Sequence, residues 1–378
     1  MQSRIRSTTA QRCRVTSPII IAIPFRLILR RLKLGTLSVL RGAGVFRVVA
    51  NSDWRHRRLL ILCYHGTSMD DEHLWRPSLY ITPGKLEEHL SLLKKGRYSV
   101  QPLGEVLQNL RAGTLPPRSV VITFDDGTYD FYRQAFPLLR SYGFPATVYL
   151  STYYTICERP VFNLICSYML WKRRGQVISD GSELGLKSPL NLRTERGRHR
   201  VVRELIEIAE RENMTGVQKD ALAARLASFM SLDYSDLKAR RILQLMNAAE
   251  VRTVAQHGID VQLHTHRHRA PENEELFRRE IQDNRARVRD LAANEPVHFC
   301  YPGGVYHSAF LTWLRQESVI SATTCDAGLA SRHSESLLLP RFVDNQNRTE
   351  VEFESWLCGI GDLLAFRRMS RQRYVPSD

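Results

Sequence analysis

Two short stretches hold residue types that can do chemistry together. "TFDDG" (residues 123–127) ends an apolar run in two adjacent acids, Asp125 and Asp126, and a glycine. "HTHRH" (264–268) sets His264 and His268 four positions apart. One helical turn or tight loop aims both imidazoles at one point, and imidazole with carboxylate suits zinc or a similar divalent ion. Two His and one Asp leave a fourth position for water, the catalytic rather than the structural pattern. Adjacent strand residues point to opposite sides, so both acids face one site only if the chain turns there. Gly127 permits that turn. The roles of the acids then separate: one binds the cation, and the other stays free to take a proton from water as general base.

These residues need elements to position them. Apolar runs recur at 59–66, 119–127, 146–151, 259–266, 297–304, 319–324 and 336–342. Several lack strict alternation, as expected of strands covered on both faces of a parallel sheet. Helical patterns lie between them at 83–96, 130–143, 273–294 and 308–318. Strands alternating with helices imply a parallel α/β fold, either a closed barrel or an open doubly wound sheet. In both, the C-terminal strand ends form one face, where sites are built. His65, the acid pair, the His cluster, the Tyr301-Pro302-Gly303-Gly304 turn and Arg341 all stand at such ends. Residues 152–255 break the rhythm and read as a mainly helical insertion over that face, where substrate walls belong.

The net charge of +15 suggests nucleic acid until its distribution is considered. Residues 1–58 hold 13 Lys/Arg and one acid, leaving about +3 for the other 320 residues. The basic character belongs to an N-terminal arm, and no specific nucleic acid is expected. Residues 1–17 read as disordered. The apolar run after them is broken by Pro24 and Arg26 and is shorter than the roughly 20 residues a bilayer span needs. No cleavage site of a signal peptide is evident. Basic and apolar residues alternating at helical spacing fit a helix lying on an anionic membrane surface. Seven scattered cysteines without a CxxC pair read as reduced thiols, which points to a cytoplasmic chain or one peripheral on the membrane.

"TFDDG", the H-T-x-x-H pattern and "LCYHG" upstream, in this order, resemble the polysaccharide deacetylase family (NodB-homology domain, carbohydrate esterase family 4). The resemblance spans roughly residues 59–345. It implies a deformed (β/α) barrel of about seven parallel strands with a helical insertion, and metal-dependent removal of acetyl groups from sugars. By motif it assigns Asp125 as base and Asp126, His264 and His268 as ligands of a divalent metal, zinc foremost. His266 is left as an unmatched middle residue. The family's third motif, Arg-x-Pro-aromatic-Gly, reads "CYPGG" here. Cys300 stands where Arg would be, and Gly303 offers a backbone amide as oxyanion donor. The base-orienting cation must come from elsewhere, and Arg341 is the candidate. The late Leu-x-x-His motif, source of the general acid, has no clear match: His307 and His333 are poor substitutes, and the acid is unassigned. His65, Tyr301 and Gly303 are the candidate substrate and oxyanion residues.

The expected organisation is a basic arm (1–58), a barrel (59–357) containing the insertion (152–255), and a C-terminal tail (358–378). The expected activity is hydrolysis of the acetamide of N-acetylated amino sugars in a bacterial surface polysaccharide or its precursor. The alternatives are a catalytically weak glycan-binding barrel, or a deacylase for formyl or O-acetyl groups.

Overall fold

The structure, a computed structural model, describes residues 19–187 and 189–364. The arm's first 17 residues and the end of the expected C-terminal tail lie outside them.

The described chain opens with two helices, α1 (Ile19–Gly42) and α2 (Val45–Ala50). The barrel follows. Strand β1 (Arg58–Tyr64) is followed by α3 (Pro83–Lys95) and α4 (Leu103–Ala112), and β2 (Ser119–Phe124) by α5 (Phe136–Tyr142). Then come β3 (Thr147–Leu150), the insertion, and α6 (Ala248–Gln256) with β4 (Asp260–Leu263). The last units are α7 (Glu274–Ala292) with β5 (His298–Cys300), α8 (Ser308–Gln316) with β6 (Ser321–Thr323), and β7 (Phe342–Val343) with α9 (Glu350–Cys358). All seven strands pair in parallel, in the order β7-β1-β2-β3-β4-β5-β6. A bridge between Thr323 and Leu339 carries the chain from β6 back towards β7 and curls the sheet into a deformed barrel.

The strands separate two apolar layers. Leu60, Leu62, Ile122, Phe124 and Val148 face the helices. Leu59, Ile61, Val121 and Tyr149 face inward, packed with Leu339 and with Leu107 and Leu110 of α4. Both faces are therefore buried, which is why β1 and β2 carry no polar alternation. Continuing the inward set by its period of two reaches Cys63 on β1, and Thr123 and then Asp125 on β2.

Three departures from the sequence expectation have physical causes. "DFYRQAFPLLRSYG" starts as a wider π-turn, Phe131–Ala135, before α5. Pro137 sits in the first turn of α5, where its missing N–H costs nothing. The run 336–342 is mostly not strand: only Phe342 and Val343 pair with β1, and Pro340 before them has no N–H to donate. Helix α4 and its Leu-rich face were not anticipated.

The insertion has an apolar core of its own that also takes in Trp75, Leu79 and Tyr80 from the segment after β1. Helices Phe162–Lys172, Glu195–Arg211 and Gly216–Phe229 share a core of Ile165, Tyr168, Leu205 and Leu226. Its ends are stapled where Val161 N–H donates to Leu243 O at 2.9 Å. The expected end at residue 255 falls instead inside α6, whose Val251 and Val254 belong to the barrel core. The expected start of a tail at 358 is likewise displaced, since Cys358 and Ile360 are buried with Leu37, Phe46 and Ala50 of α1 and α2. Helix α1 is held on α9 by Lys33–Glu352 (3.2 Å), Arg41–Glu350 (2.7 Å) and Arg41–Glu354 (2.8 Å). No described helix is long and apolar enough to cross a membrane.

Candidate active site

Asp125 follows β2 on the inward face. Its N–H donates to Tyr64 O at 2.9 Å, continuing the ladder with β1. The chain then turns through two left-handed residues, Asp126 (φ 71°) and Gly127 (φ 77°). This double turn breaks the alternation and swings Asp126 to the same side as Asp125. Position 127 favours glycine through its positive φ, and a Cβ there would also have to displace Leu150 Cδ1, 2.2 Å away. The loop is stitched to the insertion's return by a bridge between Thr128 and Leu245 and by Met246 N–H to Gly127 O at 3.0 Å.

The His loop follows β4 and is equally constrained. Thr265 (φ 61°) and His268 (φ 55°) adopt the left-handed region, which is unusual for a β-branched residue and marks stored strain. Helix α7 holds the loop in place. Asn284 Oδ1 accepts from His264 N–H at 2.9 Å, and its amide donates to Leu150 O and Thr152 Oγ1, both at 2.9 Å. Glu280 accepts from Arg267 N–H at 2.8 Å.

His264 and His268 meet Asp126 as the spacing suggested. Their Nε2 atoms lie 3.2 and 3.1 Å from Asp126 Oδ1. His264 Nδ1 lies 2.8 Å from Cys300 O, a contact that places the proton on Nδ1 and leaves the Nε2 lone pair facing Asp126. The cluster is thus a knot of lone pairs, and Asp126 Oδ1 is buried without a conventional hydrogen-bond donor. Tetrahedral zinc with ligands about 2.0–2.1 Å away has ligand–ligand edges of about 3.3 Å, close to these separations. The donor set and its spacing fit a divalent cation. Burial opposes the charged forms, but His268 and His264 together hold Asp126 well below the usual carboxylate range, and Asp126 and Asp125 raise His264.

Asp125 has a different partner. Arg341, fully buried, donates from Nη1 to Oδ1 and from Nη2 to Oδ2, both at 2.7 Å. Its Nε donates to Thr324 O at 2.9 Å and Nη1 also reaches Thr123 Oγ1 at 3.2 Å. Burial resists ionisation of Asp125, but Arg341 outweighs it and keeps the carboxyl charged far below its ordinary value. The thiols of Cys63 and Cys300 lie 3.6 and 3.4 Å from Asp125 Oδ2, with burial holding both protonated. Each could join a metal group with Asp125, but a guanidinium on both oxygens repels a cation there. Of the three groups that could hold a cation, the one on the Asp126 side is therefore the best suited.

The remaining sequence candidates divide. His65 lines the same pocket, its Nε2 3.7 Å from Asp125 Oδ2, and Gly303 (φ 62°) lines it too. Tyr301 does not. Its ring is buried against Phe299 and its hydroxyl donates to Leu337 O at 2.9 Å, so the expectation of a substrate contact from its side chain is corrected. The cause is strand alternation: Cys300 points in, so Tyr301 points out. His266 turns away to Thr152 Oγ1 at 2.9 Å. Asn284 was missed, as were three residues of the pocket lining, Tyr154, Arg76 and Arg267. Arg267 sits inside "HTHRH", but nothing in the spacing around the other three signals a role.

A curled parallel barrel carries at its strand ends a His-His-Asp cluster able to hold a metal ion and a second, clamped Asp. The chain belongs to the polysaccharide deacetylase family, whose model matches residues 112–219 and 232–318, just over half of the chain. A curated relative, the poly-beta-1,6-N-acetyl-D-glucosamine N-deacetylase of Escherichia coli (strain K12), is 28% identical over 100 residues, 26% of this chain. That match covers only 15% of the relative's own length. Among solved structures, the Streptococcus pyogenes deacetylase PplD in complex with acetate aligns with a TM-score of 0.53 at 19% identity, covering 80% of this chain and 97% of that one. This likeness supports the fold.

Proposed function

We propose that this chain is a metal-dependent hydrolase that removes acetyl groups from N-acetylated amino sugars of a bacterial surface polysaccharide or its precursor. The observation that carries the reading is the division of the acid pair, Asp126 with two imidazoles and Asp125 with Arg341. Asp126, His264 and His268 would hold the cation, for which zinc is the best match. When bound, the ion supplies a Lewis acid that polarises the acetyl carbonyl and acidifies water. Asp125 accepts the proton of the attacking water. Arg341 keeps it ionised and fixes its orientation, leaving its remaining lone pairs for that proton. The Gly303 amide is the oxyanion donor. His65, on the Asp125 side of the same pocket, returns a proton to the leaving amine. Such a role answers the missing late His motif, as Arg341 answers the missing Arg.

The arm contributes membrane contact. On α1, Ile28, Leu32 and Val39 form an exposed apolar stripe at helical spacing, with Arg31 beside it. That face suits the surface of an anionic bilayer.

The experiment is acetate release from acetylated glucosamine oligomers, beside metal analysis of the purified protein. Activity lost with a chelator and restored by zinc supports the reading. Acetate release that proceeds unchanged without metal overturns it, and binding of the oligomer without any release favours the glycan-binding alternative.

A further inference from the structure

The pocket over the Asp126 cluster encloses about 430 Å³, far more than an acetamide occupies, and runs towards the insertion. Its far wall is apolar, made by Leu79, Val161, Leu164, Leu243 and Leu245. A neutral sugar chain is a poor match for that wall, because its hydroxyls would be left without partners. In the same pocket stands Arg76, half-buried, its guanidinium 4.6 Å over the Trp75 ring. Among the described residues no carboxylate comes within salt-bridge distance of it. Arg267, the other arginine of the pocket lining, is paired with Glu280 at 2.9 Å. Burial already weakens the hold of Arg76 on its proton. Glu195 acts on it only through space, and a partly desolvated cation without a contact counter-ion is costly unless an anion completes it.

We propose that the pocket takes an N-acetylated amino sugar joined to a phosphate, and that Arg76 is the side chain that binds the phosphate. The guanidinium fork matches phosphate oxygens in two-point fashion, and Trp75 limits its freedom. The apolar wall beyond it accepts what the phosphate carries, which favours a prenyl-type lipid carrier over a free sugar phosphate. The inference deepens the deacetylase reading and rests on it for the position of the acetamide.

The test uses the full chain loaded with zinc. Acetate release is compared for a neutral N-acetylglucosamine tetramer, N-acetylglucosamine 1-phosphate, a short prenyl-pyrophosphoryl N-acetylglucosamine, and a disaccharide of N-acetylglucosamine with a uronic acid. The wild type is expected to prefer the phosphate-bearing probes by at least about tenfold in kcat/KM. Arg76→Leu is expected to remove that preference, chiefly by raising KM for the phosphate-bearing probes; Arg76→Lys restores part of it. A further gain with the prenyl probe assigns the apolar wall to a lipid, whereas equal use of the two phosphates assigns a soluble sugar phosphate. Equal use of neutral and phosphorylated probes, or preference for the uronic acid, overturns the proposal while leaving the deacetylase reading intact. If no probe releases acetate, the deacetylase reading fails. Calorimetric binding of N-acetylglucosamine 1-phosphate to wild type and Arg76→Leu then decides the Arg76 site, and equal affinities overturn it. Thermal unfolding checks that Arg76→Leu is folded, with Arg76→Gln as the second variant.

Discussion

Arg341 and Asp125 lie 216 positions apart in the chain, yet they meet as a two-point ion pair with both contacts at 2.7 Å inside the barrel. Arg341 is fully buried, and Asp125 is nearly so, open only to the pocket. The pair therefore sets both the charge of Asp125 and its direction.

Removing the cation should expose the cost of the buried carboxylate. Arg341→Met is expected to lower stability at neutral pH by about 3–5 kcal/mol, because one buried charge is left without its partner. Asp125 has a depressed pKa in the folded state. The native form binds fewer protons than the unfolded chain, so the stabilisation is present above the unfolded carboxylate value of about 3.9 and is lost as pH falls below it towards the folded value. Urea unfolding at pH 7 and at pH 3 checks this, with the gap between wild type and variant narrowing at pH 3. An unchanged gap means that Arg341 acts through some other contact.

The two acids should separate by mutation. Asp125→Asn is expected to cut turnover by about 10²–10⁴-fold while leaving metal bound. His264→Ala is expected to lose metal and turnover together. Metal content measured beside acetate release makes the comparison, and full activity in Asp125→Asn removes the assignment of the base.

Asn284 holds the His264 backbone, Leu150 O and Thr152 Oγ1 at once. Asn284→Ala removes this partner from His264 N–H and Leu150 O, at about 1–3 kcal/mol each, while Thr152 Oγ1 keeps His266. Because it orients a candidate ligand, metal affinity is expected to weaken by about 10–100-fold. Competition against a coloured chelator measures that affinity, and an unchanged value would confine Asn284 to stability.

Asp130 should make stability fall with rising pH. Burial pushes its pKa up to about 7, helped by Glu72 and Asp126 and opposed by donors from Thr67 N–H and the Thr128 hydroxyl. Here the native state binds more protons than the unfolded chain, so stability declines between pH of about 4 and about 7 and is flat above. The slope attributable to this group is at most about 1.4 kcal/mol per pH unit. Asp130→Asn keeps the acceptor and removes the slope. Denaturant titrations of both proteins at pH 5 and pH 8, with chelator present, give the comparison; identical slopes would exclude Asp130 as their source.

Local signals carried much of this molecule into its sequence. The apolar runs marked six of the seven strands well, since a strand buried on both faces must be apolar throughout. Gly127 announced a turn after Asp125, and the four-residue step from His264 to His268 announced two imidazoles aimed together. These are short-range properties, decided by backbone sterics within a few residues. The tertiary structure decided the rest, because barrel closure chooses which distant residues become neighbours. It put Arg341, in the sequence only a candidate, on both oxygens of Asp125, and turned Tyr301 outward through the alternation that points Cys300 in. It brought Asn284 from α7 beneath His264, and it left Arg76 without a counter-ion beside the insertion's apolar wall. No spacing in the chain encodes those meetings, since each depends on where the curled sheet brings its strand ends together.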